Sequence, residues 1–177
     1  MEIGEIPSSL LVVGGGYIGL ELGTFFSSLG TEVTVVEMLP GLLQGIDRDL
    51  AGVLKKRLDE KFKSIMLETK LVSINELDNE VQVSFEADGK SFEEKYEKVL
   101  ISVGRVPYTE GLGLENTRVT LDGKGFIETD TQRKTADPTI FAIGDVAGEP
   151  MLAHKACLLY TSPSPRDRTR SRMPSSA

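Results

Sequence analysis

Residues 10–19 read LLVVGGGYIG, an apolar run followed at once by a cluster of glycines. Gly14, Gly16 and Gly19 have the spacing G-x-G-x-x-G, and they stand between an apolar strand and a helix-like run over residues 17–29. In such a turn the first glycine permits the tight bend and the second lets a pyrophosphate approach the backbone. The third lets the helix pack closely against the strand. The N–H groups at the start of the helix can bind an anion, so the stretch predicts a dinucleotide site. The alternative is a plain strand–turn–helix.

A second apolar strand, Glu32–Val36, ends at Glu37, about 20 residues beyond the glycines, where an acidic residue binds the ribose hydroxyls of a dinucleotide. A 2′-phosphate would be repelled by this carboxylate, so Glu37 favours NAD over NADP. The alternative for Glu37 is a solvated acid at the end of a strand.

The helix after the glycine turn should press Gly19 and Gly23 against the sheet and end at Gly30. Asp47 is expected to cap a second helix that runs to about Phe62. Its apolar residues stand at helical spacing: Leu50, Val53, Leu54 and Leu58.

A short strand is expected near residues 64–67. Alternation of apolar and polar residues over 71–76, 81–86 and 91–97 then predicts an antiparallel meander of three strands. A buried parallel strand over residues 99–103 returns to the main sheet. The sequence therefore predicts an α/β, Rossmann-type domain with a three-stranded antiparallel meander.

In that fold Gly14, Glu37 and Gly104 follow strands that end at one edge of the sheet, where doubly wound folds bind ligands. Beyond Gly104 the chain is rich in turns, with a short strand expected at Ile127 and another at Ile140–Ile143.

Composition excludes several classes of function. The formal net charge of −7 disfavours nucleic acid as a partner, and no apolar run reaches the length of a membrane span. The first residues do not form a signal peptide. The single cysteine cannot form a disulfide within the chain, which is compatible with a reducing compartment. One cysteine and one histidine cannot build a metal-ligand cluster, so no metal site is expected.

Residues 157–177 differ abruptly in composition, with four arginines against one acid, Asp167. The segment resembles translated adapter sequence, and we interpret it as a non-native, disordered tail without packed structure after about Leu159. A basic arm or a serine–arginine-type tail is the alternative.

Five segments carry a resemblance to a known family: VGGGYIGLE, VTVVE, SVGRVP, IFAIGD and MLAHKA. In this order and spacing they are similar to the dihydrolipoamide dehydrogenases, which are FAD-dependent pyridine nucleotide–disulfide oxidoreductases. The resemblance covers residues 1–156. It implies an NAD-binding domain over 1–115 and an incomplete FAD-domain segment over 116–156, in a fragment truncated at both ends.

The resemblance also implies cofactor contacts, although it assigns no catalytic residue to this chain. For NAD these are Gly14, Gly15, Gly16, Tyr17, Ile18, Gly19, Leu20, Glu21, Glu37, Leu71 and Gly104. For FAD they are Asp145, Met151, Leu152, Ala153 and His154.

Several of these residues can also be interpreted without a role in cofactor binding. Glu21 can be a helix-surface carboxylate or the partner of a flavin-side lysine, and Leu71 can be core. Gly104 can be a turn glycine, and Asp145 a loop acid. His154 resembles a flavin neighbour and not an acid–base catalyst.

The implied reaction oxidises dihydrolipoyl groups on an acyltransferase or carrier protein and reduces NAD⁺ to NADH. The resemblance implies a homodimer in the bacterial cytoplasm or the mitochondrial matrix. The 177-residue chain alone is expected to be inactive. Mercuric reductase, NADH oxidase and a stand-alone NAD-binding module are the alternatives.

Overall fold

A computed structural model describes residues 5–160, which form two compact units that divide between Gly104 and Arg105. The first unit has seven strands and two helices among its described residues. They are β1 (Ser9–Val13), α1 (Tyr17–Ser28), β2 (Glu32–Val36), α2 (Arg48–Asp59), β3 (Ser64–Met66), β4 (Lys70–Glu76), β5 (Val81–Ala87), β6 (Lys90–Tyr96) and β7 (Lys98–Ile101).

The first unit has a parallel sheet in the order β3-β2-β1-β7 and an antiparallel sheet in the order β4-β5-β6. The predicted α/β fold with its meander is confirmed. Because β1 lies between two neighbours, Leu11 and Val12 are fully buried. The helices α1 and α2 connect β1 to β2 and β2 to β3, and the meander connects β3 to β7.

Alternation along β1 builds two cores. Leu10 and Val12 pack in a cluster with residues of α1 and α2, including Phe26 and Leu58. Leu11 and Val13 belong to a second cluster with residues of the meander, including Phe85. Successive side chains on a strand point to opposite faces, so the parallel sheet is covered by helices on one face and by the meander on the other.

The small residues of α1 permit its close approach to the sheet. A Cβ atom added at Gly19 would lie 2.5 Å from the Gly14 carbonyl oxygen and 2.5 Å from the Ser102 hydroxyl. One added at Gly23 would lie 3.1 Å from the ring of Phe62. Gly30, at φ +95°, follows the end of the helix in a conformation that favours glycine. The expected roles of these three helix glycines are confirmed.

Two features of the first unit differ from expectation. In α2 the Asp47 cap is present, but Leu50 and Val53 are 67% and 66% exposed, while Ala51 and Leu58 are buried. Only one narrow stripe of the helix contacts the core. The predicted buried strand over 99–103 is β7, an edge strand that ends at Ile101, which is 62% exposed.

The second unit is irregular. Up to residue 160 its helices are two short 3-10 turns, Leu114–Asn116 and Gly144–Ala147, and α3 (Ala153–Tyr160). The expected strands at Ile127 and Ile140–Ile143 are wrong, since each region makes only an isolated β-bridge. A strand needs a ladder partner, and the described part of this unit does not provide one.

Turns in the second unit are held by aspartates. Asp122 and Asp130 each accept two hydrogen bonds from backbone N–H groups.

The expected domain boundary near residue 115 stays a prediction. Residues 157–160, the first part of the predicted tail, belong to α3, and residues 161–177 lie outside the described range. Within the described range no helix is long and apolar enough to cross a membrane.

Gly19→Ala should lower the free energy of unfolding by about 2–3 kcal/mol, because its Cβ atom would meet backbone that cannot move aside. Gly52→Ala is the matched control in α2, where an added Cβ atom meets nothing within 4 Å. It should stabilise the chain by up to about 1 kcal/mol, the helix propensity of alanine over glycine. Urea denaturation followed by circular dichroism measures both, and equal effects would contradict the packing described.

Glu97 should make stability depend on pH. The Ser8 backbone N–H and hydroxyl both donate to its Oε2, at 2.8 and 2.7 Å, and they lower the pKa of Glu97 from its ordinary value of 4.5. This stabilisation is present above the unfolded pKa and is lost as pH falls through the folded pKa. Glu97→Gln should therefore be less stable than wild type at pH 7, and the two should converge as pH falls through the lowered pKa of Glu97. Glu60→Gln, on an exposed carboxylate, should show no such convergence in urea titrations.

Candidate functional site

The glycine turn lies at the carboxyl ends of β1, β2 and β7. The Gly14 N–H donates to the Val36 carbonyl oxygen at 2.8 Å, and the Ser102 N–H donates to Val13 at 2.8 Å. Gly14 has φ +106°, and a Cβ atom there would lie 2.6 Å from the Ser102 carbonyl oxygen. Glycine is therefore required at this position by both conformation and space.

Gly16 has a different role in the same turn. It is the N-cap of α1, with no side-chain cap, and an added Cβ atom would meet nothing within 4 Å. The N-terminus of α1 is therefore open to approach by an anion, which the N–H groups and the helix dipole both favour.

Glu37 lies directly beside the glycine turn. Its Oε2 accepts from the Gly15 N–H at 2.6 Å, and its Oε1 accepts from the Leu39 N–H at 2.9 Å. Its own backbone joins two further segments, since Glu37 N–H donates to Met66 and Thr69 N–H donates to the Glu37 carbonyl oxygen. The sequence motif and the acid about 20 residues later therefore meet in one place, as predicted.

Residues 38–46, which we call the β2–α2 loop, cover the glycine turn. The Leu43 N–H donates to the Gly15 carbonyl oxygen at 2.9 Å. Leu42 is buried, and a Cβ atom added at Gly15 would lie 2.7 Å from its Cδ2. The loop therefore holds Gly15 at its carbonyl oxygen, while Glu37 holds it at its N–H.

Sequence reasoning missed three residues that shape this site: Leu42, Arg48 and Ser102. The Ser102 hydroxyl donates to the Val13 carbonyl oxygen at 2.9 Å and would lie 2.5 Å from a Cβ atom added at Gly19. A polar residue near the end of an apolar strand was the available signal for Ser102. For Arg48 the signal was a cation in the first turn of a helix, where the dipole is unfavourable.

The other residues predicted to contact NAD also belong to the first unit. Tyr17 and Glu21 are exposed, Ile18 is half-buried and Leu20 is buried. Leu71 packs beside the core cluster that contains Phe85. Gly104 is exposed with φ +147°, a conformation that favours glycine.

The predicted flavin contacts lie in the second unit. Asp145, in a 3-10 turn, forms an ion pair with Arg105 at 2.9 Å, and Arg105 also donates to the Met151 carbonyl oxygen. Met151 is buried and Leu152 is half-buried, while Ala153 and His154 are exposed at the start of α3. Arg105 thus links Asp145 to Met151, a contact that the sequence did not predict.

A cleft of about 850 Å³ lies elsewhere in the first unit. It is lined by residues from the lead-in at Ser8, the β4–β5 turn and the segment from Tyr96 to Val99. It borders the amino-terminal ends of β1 and β7, whereas ligands of doubly wound sheets bind at the carboxyl ends. Volume alone therefore does not identify the functional site.

Across residues 5–160 no cluster of three or more histidine, cysteine, aspartate or glutamate side chains could hold a metal ion.

Comparison with known proteins agrees with this geometry. The family model described as pyridine nucleotide-disulphide oxidoreductase matches residues 1–158. The chain belongs to this family. Members of the pyridine nucleotide-disulphide oxidoreductase family use FAD and a pyridine nucleotide, NAD or NADP.

Curated relatives in the family are dihydrolipoyl dehydrogenases. The chain is 44% identical to that of Vibrio parahaemolyticus over 156 residues, which is 88% of this chain and 33% of the relative. It is 45% identical to that of Thermus scotoductus over 153 residues, 85% of this chain and 33% of the relative. The chain therefore spans about a third of the length of the curated relatives that it matches.

Solved structures of a flavoprotein disulfide reductase are also similar to the chain. The HOCl-induced flavoprotein disulfide reductase RclA from Escherichia coli is similar with a TM-score of 0.79 and 30% identity. The match covers 90% of this chain and 36% of that one. The Cu(II) complex of that reductase is similar to the same degree, with 35% of its chain covered.

Proposed function

We propose that the first unit binds NAD(H), with the adenosine ribose on Glu37 and the pyrophosphate over Gly16. The contact that carries this proposal is the 2.6 Å hydrogen bond between Gly15 N–H and the Glu37 carboxylate. It holds an anionic acceptor beside an N-terminus that attracts anions, so one end of the site suits ribose hydroxyls and the other suits phosphate.

The charges at the ribose end favour NAD over NADP. A 2′-phosphate would meet the Glu37 carboxylate, and the next residues, Met38, Leu39 and Pro40, are neutral. The guanidinium of Arg48 is engaged with carbonyl oxygens of the β2–α2 loop. We therefore assign the nucleotide as NAD.

The contacts proposed for NAD are the turn and first helical turn from Gly14 to Glu21, together with Glu37, Leu71 and Gly104. In the second unit Asp145 and the residues from Met151 to His154 are proposed to contact FAD. The half-exposed Asp145 carboxylate, held by Arg105, suits a hydroxylated ligand. Bound FAD would supply hydride transfer to or from the nicotinamide.

We further propose that this chain is part of a dihydrolipoyl dehydrogenase. The identities of 42–45% with curated dihydrolipoyl dehydrogenases support this assignment over other disulfide reductases. The reaction converts a dihydrolipoyl group and NAD⁺ into a lipoyl group, NADH and a proton. The electron donor would be a lipoyl-bearing acyltransferase or carrier protein, and the enzyme a homodimer of the bacterial cytoplasm or mitochondrial matrix.

Glu37→Gln tests the ribose contact. The amide oxygen can still accept from Gly15 N–H, but the negative charge is lost, and a hydrogen bond to a charged group contributes about 1.5–3 kcal/mol. The Kd of the 177-residue chain for NADH should rise at least about tenfold, while that for NADPH should not rise. Isothermal titration calorimetry measures both.

Glu32→Gln is the matched control, because Glu32 begins the same strand and its carboxylate pairs with Lys63 away from the glycine turn. Its Kd values should equal those of wild type. An unchanged NADH affinity in Glu37→Gln, or failure of wild type to bind NADH, would refute the proposed site.

The 177-residue chain by itself should bind NADH without turnover. Its one cysteine, Cys157, cannot form the intrachain disulfide that a dithiol oxidation requires. With FAD, NAD⁺ and dihydrolipoamide added, absorbance at the NADH band should not increase. Any dihydrolipoamide-dependent increase would contradict this expectation.

A further inference from the structure

The Arg48 side chain donates hydrogen bonds to the β2–α2 loop that precedes its helix. Its Nη1 donates to the Leu42 carbonyl oxygen at 3.0 Å, and its Nη2 donates to those of Leu43 and Ile46 at 2.6 and 2.7 Å. Its Nε also donates to Ile46 at 3.1 Å. One guanidinium therefore binds three carbonyl groups of one loop, which its planar set of five N–H donors allows and an ammonium does not match.

The position of Arg48 in the helix makes this arrangement notable. Arg48 is the first residue of α2, where the helix dipole is unfavourable for a cation. The residue before it, Asp47, already caps the helix through the Asp49 N–H. Formation of the helix therefore does not favour arginine at this position. Hydrogen bonding to the carbonyl oxygens of the β2–α2 loop does.

The loop that Arg48 binds includes a strained residue. Leu43 has φ +51°, a left-handed conformation that is rare for a branched side chain. Such a conformation persists only where its surroundings hold it in place. Leu43 is held at both backbone groups: its carbonyl oxygen accepts from Arg48, and its N–H donates to the Gly15 carbonyl oxygen.

A continuous series of hydrogen bonds then leads from Arg48 to the proposed ribose site. Arg48 binds the Leu43 carbonyl oxygen, Leu43 N–H binds the Gly15 carbonyl oxygen, and Gly15 N–H binds the Glu37 carboxylate. Glu37 is also bound by the Leu39 N–H from the same loop. The orientation of the carboxylate therefore depends on the conformation of the β2–α2 loop.

We propose that Arg48 is a positioning residue for the adenosine end of the nucleotide site. It acts through the β2–α2 loop and Gly15 to orient Glu37 and does not itself touch the nucleotide. This inference rests on the proposed NAD(H) site. It deepens that proposal by adding a residue that sets how well the carboxylate distinguishes a ribose hydroxyl from a 2′-phosphate.

Three variants separate this role from a general effect of charge. Arg48→Met removes the guanidinium, and Arg48→Lys keeps the charge but loses the planar fork. Arg57→Met is the matched control: it removes an exposed arginine from the same helix, and within residues 5–160 the Arg57 side chain makes no hydrogen bond or ion pair.

NADH and NADPH binding to the 177-residue chain is the first measurement. Arg48→Met should weaken NADH binding by about tenfold and NADPH binding by less, which lowers the preference for NADH. Arg48→Lys should lose affinity in the same direction, while Arg57→Met should match wild type. An unchanged NADH affinity in Arg48→Met, a wild-type affinity in Arg48→Lys, or equal losses for both nucleotides would overturn the proposal.

A double-mutant cycle with Glu37→Gln is the second measurement. A residue that acts through Glu37 has less effect once that carboxylate is gone, whereas independent effects add. Arg48→Met should therefore cost less NADH affinity in the Glu37→Gln background than in wild type. The same fold-loss in both backgrounds would show that Arg48 does not act through Glu37.

Amide hydrogen exchange in the nucleotide-free chain provides a readout that does not depend on binding. Arg48→Met should speed exchange at the Gly15 and Leu43 amides and leave that of Val35, in the middle of β2, unchanged. If wild type does not bind NADH, the proposed function fails, and exchange alone decides whether Arg48 orders this loop. Unchanged exchange at Gly15 would overturn the positioning role.

Discussion

The close approach of α1 to the carboxyl ends of β1 and β7 is the constraint on which the first unit depends. At Gly19 no side-chain atom fits, because the Gly14 carbonyl oxygen and the Ser102 hydroxyl would both lie 2.5 Å from a Cβ atom. This contact sets the distance between helix and sheet. It also keeps the N-terminus of α1 at the carboxyl end of β1. The exposure of the α1 N-terminus, on which the proposed binding of an anion depends, is thus a consequence of packing as well as of glycine flexibility.

The second constraint is the hydrogen bond from Gly15 to Glu37. A carboxylate that accepts two backbone N–H groups is held in one orientation while each oxygen keeps capacity for a further donor. The β2–α2 loop binds the carbonyl oxygen of the same glycine through the Leu43 N–H. The geometry of the proposed nucleotide site therefore depends on two segments that are separate in sequence, the glycine turn and Glu37 with the β2–α2 loop that follows it.

The sequence predicted the parts of this arrangement that follow from strong periodicity. The glycine spacing placed β1 and α1, the position of Glu37 followed from the length of one strand–helix–strand unit, and alternation revealed the meander. It did not predict the exposure of Leu50 and Ile101, because burial depends on which neighbours an element meets and not on its own pattern. It also missed Arg48 and Ser102. Their roles come from hydrogen bonds to backbone carbonyls, which leave no periodic signal in a sequence.

The exposed edge of β7 has a consequence for handling the protein. A parallel edge strand presents N–H and C=O groups along its outer side, and within residues 5–160 no other strand pairs with that side. Lys98 is the charged residue of the strand, whereas Ile101 and, just after it, Val103 are apolar and exposed. Such an edge can template the pairing of another chain. Self-association of the purified polypeptide at high concentration would therefore be expected to begin at the outer side of β7.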